Sequence, residues 1–226
     1  MGGRMTELAA ASGPWLVGLA LAAGAVAAMA MSSSDKAAPS VFDVWDKVKA
    51  PPPPKLEPVK LEAKTTALLI LDIEKLTTNA QRRPRAVASV PRIAALLAKA
   101  RAAGMPVAYS LTSRAEPESI LKEVTPRKGE PIVKASVDKF HGTRLEAILK
   151  KKGVKTVLVV GTAAEGAVLH TATAAAIRGF DVVVPVDGMS SSELYAEQYT
   201  AWHLVNAPGS RRRTRLTRTD MIQIAR

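Results

Sequence analysis

The stretch Thr66-Ala-Leu-Leu-Ile-Leu-Asp72 is a continuous apolar run that ends in a carboxylate. Such a run is typical of a strand that is buried on both faces, as in a parallel sheet covered by helices. Similar runs occur three more times, and each follows a segment of helical character. They are Met105–Leu111, Val154–Gly161 and Phe180–Asp187. The sequence therefore repeats a unit of one helix and one strand.

The segments between these strands predict the fold class. Helices are expected at Val87–Ala103, Thr143–Lys152, Glu165–Arg178 and Glu193–Val205, and an edge strand is expected around Thr214–Thr219. Helices and strands that alternate with short connections form right-handed crossovers. The sequence therefore predicts an α/β domain whose doubly wound parallel sheet is covered by helices on both sides.

Composition limits the chemistry that the chain can perform. The 226 residues include no cysteine, which excludes thiol catalysis, disulfides and zinc thiolates. The formal net charge of +12 indicates anionic lipid or an acidic protein surface as a partner, or simply a solvated basic surface. Aromatic residues make up 4% and no recognition motif for nucleic acid occurs, so no nucleic-acid partner is expected. Six arginines lie near the C-terminus, at Arg211, Arg212, Arg213, Arg215, Arg218 and Arg226.

Residues 1–34 form a membrane-directed segment in which Pro14–Met31 carries no charge. Two interpretations are open. The segment is either a signal peptide that is cleaved near Ala30, or an uncleaved anchor with a transmembrane helix at residues 14–31. The first leaves a secreted or periplasmic protein, and the second tethers the protein to a membrane with its domain in the periplasm or an equivalent non-cytosolic compartment.

Residues 35–64 are predicted to connect this segment to the domain. They include an amphipathic stretch, Val41–Val48, and the proline-rich segment Ala50–Pro58, which favours an extended spacer. The domain is predicted to occupy residues 65–222, followed by a short tail at 223–226.

Polar side chains are expected to meet where the predicted strands end. Ligand sites of open parallel sheets lie beyond the carboxyl ends of the strands. Asp72 ends the first strand, and Gly161–Ala172, hereafter the elbow, leads from a strand into a helix. Lys134 follows a short apolar segment and is expected to point into the same crevice.

Three parts of the sequence resemble the isochorismatase-like, or cysteine hydrolase, family, which includes nicotinamidases and isochorismatases. They are Ala67-Leu-Leu-Ile-Leu-Asp72, Val133-Lys-Ala-Ser-Val-Asp-Lys-Phe-His-Gly-Thr-Arg-Leu145, and the elbow with the following Arg178-Gly-Phe-Asp-Val-Val-Val-Pro-Val-Asp-Gly188. The resemblance covers about residues 65–222. It implies a three-layer α/β/α sandwich with a six-stranded parallel sheet. It also implies a homo-oligomer. Together with the membrane-directed segment, a subunit of a membrane protein complex is the alternative.

The resemblance also implies the site residues. The catalytic aspartate of the family falls on Asp72, its lysine on Lys134, and its nucleophilic cysteine on Ala167. The oxyanion is assigned to the backbone of Thr162, Ala163 and Gly166, and a non-proline cis peptide of the family falls on Thr162-Ala163. Because a methyl group cannot attack a carbonyl carbon, hydrolysis through a thioester is excluded.

Neither a metal nor another cofactor is expected. The segment Ser110–Glu116 lacks the histidine that zinc-binding members of the family carry on the second strand. His141, His170 and His203 lack zinc-type spacing and are expected to be packed or solvent-facing imidazoles.

Three interpretations of the function are open. The chain is a tethered pseudoenzyme that serves as a binding or structural subunit, or a cysteine-independent hydrolase that uses Asp72 as the general acid on a small anionic substrate. Alternatively, Ala167 is an engineered replacement of cysteine, although natural loss is simpler in a chain that lacks every other cysteine. An open pocket at Asp72 and Lys134 would favour the hydrolase. A side chain that fills the crevice would favour the pseudoenzyme.

Overall fold

The computed structural model describes residues 38–226. The predicted signal or anchor segment, residues 1–34 with its possible transmembrane helix at 14–31, lies outside these residues. Within residues 38–226 no helix is both long enough and apolar enough to cross a bilayer. The described residues fall into two units, residues 38–50 and Pro51–Arg226. In the first, a 3-10 helix spans Phe42–Lys47, inside the stretch predicted to be amphipathic.

The second unit alternates strands and helices. Its strands are β1 (Val59–Glu62), β2 (Thr66–Leu71), β3 (Val107–Leu111), β4 (Ile132–Lys134), β5 (Thr156–Thr162), β6 (Asp181–Pro185), β7 (Met189–Ser190), β8 (Thr214–Thr217) and β9 (Ile222–Ala225). Its α-helices are α1 (Pro84–Ala102), α2 (Leu145–Lys151), α3 (Leu169–Ile177) and α4 (Leu194–Asn206).

The main sheet is parallel and doubly wound. Its strands lie in the order β4-β3-β2-β5-β6-β8, and the short β7 pairs with β5. The predicted α/β fold with a parallel sheet is therefore confirmed, although β7 gives the sheet seven strands instead of six. The chain runs outward from β2 to β4, then returns to β5 and runs outward the other way. The switch point, where a doubly wound sheet forms its crevice, lies between β2 and β5.

Two hydrophobic cores lie on the two faces of this sheet. In β2, Ala67 and Leu69 pack into one core together with residues of α2, α3 and α4. Leu68 and Ile70 pack into the other core with Ile93 and other residues of α1. Because neighbouring residues of a strand point to opposite faces, a strand between two helical layers must be apolar throughout. This requirement explains the uninterrupted run that ends at Asp72.

The folded unit begins before the predicted boundary and ends after it. Val59 and Leu61 of β1 lie in the predicted connection, residues 35–64, yet both are buried, and β1 pairs in parallel with β9. β9 takes up most of the predicted tail. The alternation of apolar and charged residues in β1 is the signal for a strand with one buried face.

Candidate active site

Asp72 stands at the switch point, directly after β2. Its backbone has a φ of 52°, which is uncommon for a residue other than glycine. The amide of Asp72 donates to Ser110 O at 3.2 Å, and the hydroxyl of Thr77 donates to Asp72 O. These bonds hold the backbone in a conformation that turns the chain at the end of the strand.

The carboxylate of Asp72 is buried and has a partner on each oxygen. Only 4% of the residue is exposed. Ser110 Oγ donates to Oδ1 at 2.7 Å, and Lys139 Nζ lies 2.8 Å from Oδ2. Burial raises the pKa of the Asp72 carboxyl, while the charge of Lys139 and the hydrogen bonds from Lys139 and Ser110 act in the opposite direction.

The ammonium of Lys139 has three partners within the protein. Besides Asp72, Nζ donates to Ala135 O at 3.1 Å and to Leu111 O at 3.4 Å. The residue is 1% exposed. Since an ammonium has three N–H donors, none of them is left for a substrate. The pair of Asp72 and Lys139 therefore forms a closed ionic cluster inside the protein.

Lys134, the lysine that the resemblance assigned to the site, does not contact Asp72. Its Nζ lies 2.7 Å from Glu116 Oε1, and its side chain is 39% exposed. Val133 beside it is buried, and strand neighbours project to opposite sides, so Lys134 projects away from that core. The expectation that Lys134 lies in the crevice is corrected by the structure, which places Lys139 there. No sequence pattern separates the two lysines, because Lys134 ends β4 and Lys139 follows only five residues later.

The elbow contains the cis peptide Thr162-Ala163, which is the bond that the family resemblance predicted. Residues Ala164–Val168 form a π-helical turn before α3. Ala167 lies in this turn and is 3% exposed. Helical turns of this kind are frequent at functional sites, and here the turn surrounds a methyl group.

One of the backbone amides assigned to the oxyanion already donates a hydrogen bond within the elbow. Gly166 N–H donates to Ala163 O at 3.1 Å, so this amide is already bonded within the elbow. Thr162 uses its hydroxyl to donate to Ser190 O at 2.9 Å, which ties the elbow to β7. The oxyanion role of the Thr162 and Ala163 backbone stays a prediction.

A charged group borders the site. Arg83 is half-buried, and burial together with Arg82 lowers its pKa, while Glu165, Asp72 and Glu74 act in the opposite direction. Arg83 Nε and Glu165 Oε2 are buried without a hydrogen-bond partner among the described residues. Buried polar atoms of this kind are normally satisfied by water or a ligand. No pattern in the sequence connects Arg83 with Asp72.

The histidines take no part in this arrangement. His141 and His170 are exposed, and His203 Nδ1 lies 3.2 Å from Tyr199 Oη on α4. Over residues 38–226, no group of three or more His, Cys, Asp or Glu side chains is placed to hold a metal ion.

Comparison with known proteins identifies the family. The isochorismatase domain model matches residues 66–214, about two thirds of the chain. The chain belongs to the isochorismatase family. This hydrolase family is the one that the three sequence segments indicated, so the recognition from sequence is confirmed.

Two relatives are similar to part of the chain. The secreted isochorismatase effector Isc1 of Verticillium dahliae is 35% identical over 118 residues, which are 47% of this chain and 62% of that protein. The chain thus matches less than two thirds of that relative's length. An uncharacterized isochorismatase family protein, YecD of Escherichia coli O157:H7, is 29% identical over 165 residues, 62% of this chain and 87% of the relative.

Solved structures share the fold. An isochorismatase family protein from Desulfovibrio vulgaris superposes with a TM-score of 0.61 at 25% identity, covering 69% of this chain and 95% of that one. N-carbamoylsarcosine amidase from Thermoplasma acidophilum superposes with a TM-score of 0.60 at 21% identity, covering 69% and 97%. The second likeness concerns the fold alone.

Proposed function

We propose that this member of the isochorismatase family is a pseudoenzyme that serves as a binding or structural module. The observation that carries the proposal is the closed ion pair of Asp72 and Lys139. The side chain of Lys139 fills the position beside the carboxylate, which is the arrangement expected of a pseudoenzyme.

The chemistry of the cluster supports the proposal. In a thiol hydrolase of this family the aspartate accepts the proton of the nucleophile, so a carboxylate oxygen must lie within reach of a thiol. Here the residue on the elbow is an alanine, so the nucleophile for thioester chemistry is missing. The two oxygens of Asp72 instead bond to Ser110 and Lys139.

The burial of the site supports the same proposal. Asp72, Lys139 and Ala167 are exposed by 4%, 1% and 3%. A catalytic group must come within about 3 Å of the atom with which it exchanges a proton. A substrate could approach Asp72 so closely only if Lys139 moved, and that movement would leave two buried charges without partners.

Restoring the thiol is expected not to restore hydrolysis. We expect Ala167→Cys to hydrolyse nicotinamide no faster than buffer, because Lys139 occupies the carboxylate that would accept the thiol proton. The new thiol should also react with iodoacetamide at least about tenfold more slowly than a cysteine at exposed Ser113, since only the exposed thiolate reacts readily.

The matched variant Ser113→Cys reports the reactivity of an open thiol on the same protein. Amide hydrolysis by Ala167→Cys that disappears in Ala167→Cys/Asp72→Asn would contradict the proposal, because it would require a working pair of acid and nucleophile.

The same proposal includes a membrane tether at Pro14–Met31, supported by the absence of charge in that segment. A relative that is described as secreted favours the alternative, cleavage near Ala30. Retention of the full-length chain in membranes washed with alkaline carbonate tests the tether. Release of a chain shortened near Ala30 would instead indicate cleavage.

One observation favours a second candidate, a cysteine-independent hydrolase. Burial raises the pKa of Asp72, so its carboxyl keeps a proton at a higher pH than an ordinary aspartic acid does. A protonated carboxyl could act as the general acid on the enol ether of a small anionic substrate, with Arg83 supplying positive charge. Such an enzyme would turn over faster as the pH falls.

A further inference from the structure

A cavity lies at the opposite edge of the sheet from Asp72. It has a volume of about 820 Å³ and is bordered by the proline-rich residues 51–54, by Trp202 of α4, and by residues 211–216 that lead into β8. Asp181 and Thr214, which also line it, are the first residues of β6 and β8, whereas Asp72 follows the last residue of β2. We call this cavity the arginine groove.

The arginine groove has an excess of positive charge. Five cationic residues line it, against the two carboxylates of Glu57 and Asp181, which leaves three charges unbalanced. Arg213 pairs with Asp181 at 3.1 Å, and Lys55 lies 3.7 Å from Glu57. The unpaired cations within residues 38–226 that line the groove are Arg211, Arg212 and Arg215.

Many other arginines of the protein do have a carboxylate partner. Arg85 bonds to Glu197 through two nitrogens, at 2.7 and 2.6 Å. Arg101 bonds to Glu130 in the same way, at 2.9 and 2.6 Å. The three arginines of the groove thus keep the bidentate donors that this protein uses elsewhere to hold anions.

The backbone that carries these arginines is held in place. Arg211 N–H donates to Ala207 O at 3.1 Å, and Thr214 N–H donates to Ser210 O at 3.0 Å. Val182 N–H of β6 donates to Arg213 O at 2.8 Å, which attaches the turn to the sheet. A ligand would therefore meet an ordered backbone, and only the side chains would need to be ordered on binding.

Part of the remaining wall of the groove is apolar. Trp202 is 37% exposed, and the rings of Pro51, Pro52 and Pro54 also line the groove. Aromatic and apolar walls with a few convergent polar groups are typical of small-molecule sites, whose volumes are about 300 to 1,000 Å³. The size and lining of the groove fit a compact ligand better than an extended surface.

We propose that the arginine groove binds a ligand that carries at least two clustered phosphate groups. The planar guanidinium group matches the oxygens of a phosphate with two parallel hydrogen bonds, and three unpaired guanidinium groups in one groove suit more than one phosphate. The phosphates belong either to a soluble compound or to a lipid headgroup. The inference does not depend on the proposed function, because the groove and the Asp72 cluster lie at opposite edges of the sheet.

Calorimetric titration of the full chain with sodium tripolyphosphate at 150 mM salt tests the proposal. We expect binding to weaken at least about 30-fold in Arg211→Gln/Arg212→Gln/Arg215→Gln, because each substitution removes a charged hydrogen-bond donor. The matched control is Arg114→Gln/Arg127→Gln/Arg144→Gln, which removes the same charge from exposed arginines elsewhere. We expect it to change binding by less than about threefold.

A second arm identifies the source of the phosphates. Vesicles that contain phosphatidylinositol bisphosphate are compared with phosphatidylserine vesicles of equal charge. Groove-dependent binding to the first vesicles alone supports a lipid headgroup, and groove-dependent binding to tripolyphosphate alone supports a soluble ligand. Three outcomes would overturn the proposal. They are an equal loss of affinity in both triple variants, binding of poly-glutamate as tight as that of tripolyphosphate, and no binding of either phosphate probe.

Discussion

Replacing Lys139 by methionine is expected to lower the free energy of unfolding by about 3 to 5 kcal/mol, because removal of one partner leaves a buried charge uncompensated. Methionine has a similar length, so the main loss is the ammonium that contacts Asp72, Ala135 O and Leu111 O. Urea unfolding at pH 7 measures the effect.

The pH dependence of this variant follows from the pKa of Asp72. Burial raises that pKa in the folded state, and loss of Lys139 removes a group that opposes the rise. A carboxyl whose folded pKa lies above its unfolded pKa destabilises the protein increasingly as the pH rises through that interval. We therefore expect Lys139→Met to be less destabilised at pH 5 than at pH 7.

Two further variants separate the ion pair from the lysine itself. Lys134→Met removes the half-exposed partner of Glu116 and should cost less than about 1 kcal/mol, as surface pairs do. Asp72→Asn/Lys139→Met removes both charges of the pair and should recover part of the lost free energy of unfolding. Equal losses in Lys139→Met and Lys134→Met would show that the buried pair does not hold the site closed.

Gly161→Ala is expected to be the most disruptive substitution in the elbow. A Cβ at this position would lie 2.1 Å from Leu71 O, which is backbone and cannot rotate away. The φ of Gly161 is 133°, a conformation that side chains other than glycine rarely adopt. We expect the free energy of unfolding to fall by more than about 4 kcal/mol, or no soluble protein to form, as for the largest effects of single substitutions. Thermal unfolding and soluble yield report the outcome.

Gly129→Ala is the matched control. Gly129 has a φ of 91°, and nothing lies within 4 Å of a Cβ placed there. Its replacement should therefore lower the free energy of unfolding by only about 1 to 2 kcal/mol, because alanine is unfavourable at a positive φ. If Gly161→Ala were no worse than this control, the close approach of the elbow to the end of β2 would not be required for folding.

The sheet was predictable because burial constrains every residue of its central strands. The apolar run before Asp72 is the pattern that two covered faces require, and the structure places it between two cores. The sequence predicted a helix from Glu165 but did not reveal the form of its first turn. It is a π-helical turn, and α3 proper begins at Leu169. β7 has two residues, too few for any periodicity to reveal.

The site was predictable in part. A carboxylate at the end of β2 and a small residue on the elbow follow from topology and from the family resemblance. The partner of Asp72 does not follow from them, because Lys134 at the end of β4 and Lys139 in the following connection lie close in sequence, and the direction of each side chain depends on tertiary packing. Lys134 pairs with Glu116 at the surface, whereas Lys139 is buried against Asp72. Burial of an ammonium is rare, and only the position of its anionic partner makes it possible.

The most direct test of the closed site is hydrolysis of isochorismate by the purified full chain between pH 5 and pH 8, with Asp72→Asn as the comparison. We expect both proteins to leave the substrate at its rate in buffer across the whole range. Turnover by the unsubstituted chain that rises toward pH 5 and is lost in Asp72→Asn would contradict a non-catalytic role. It would assign to Asp72 the part of a general acid.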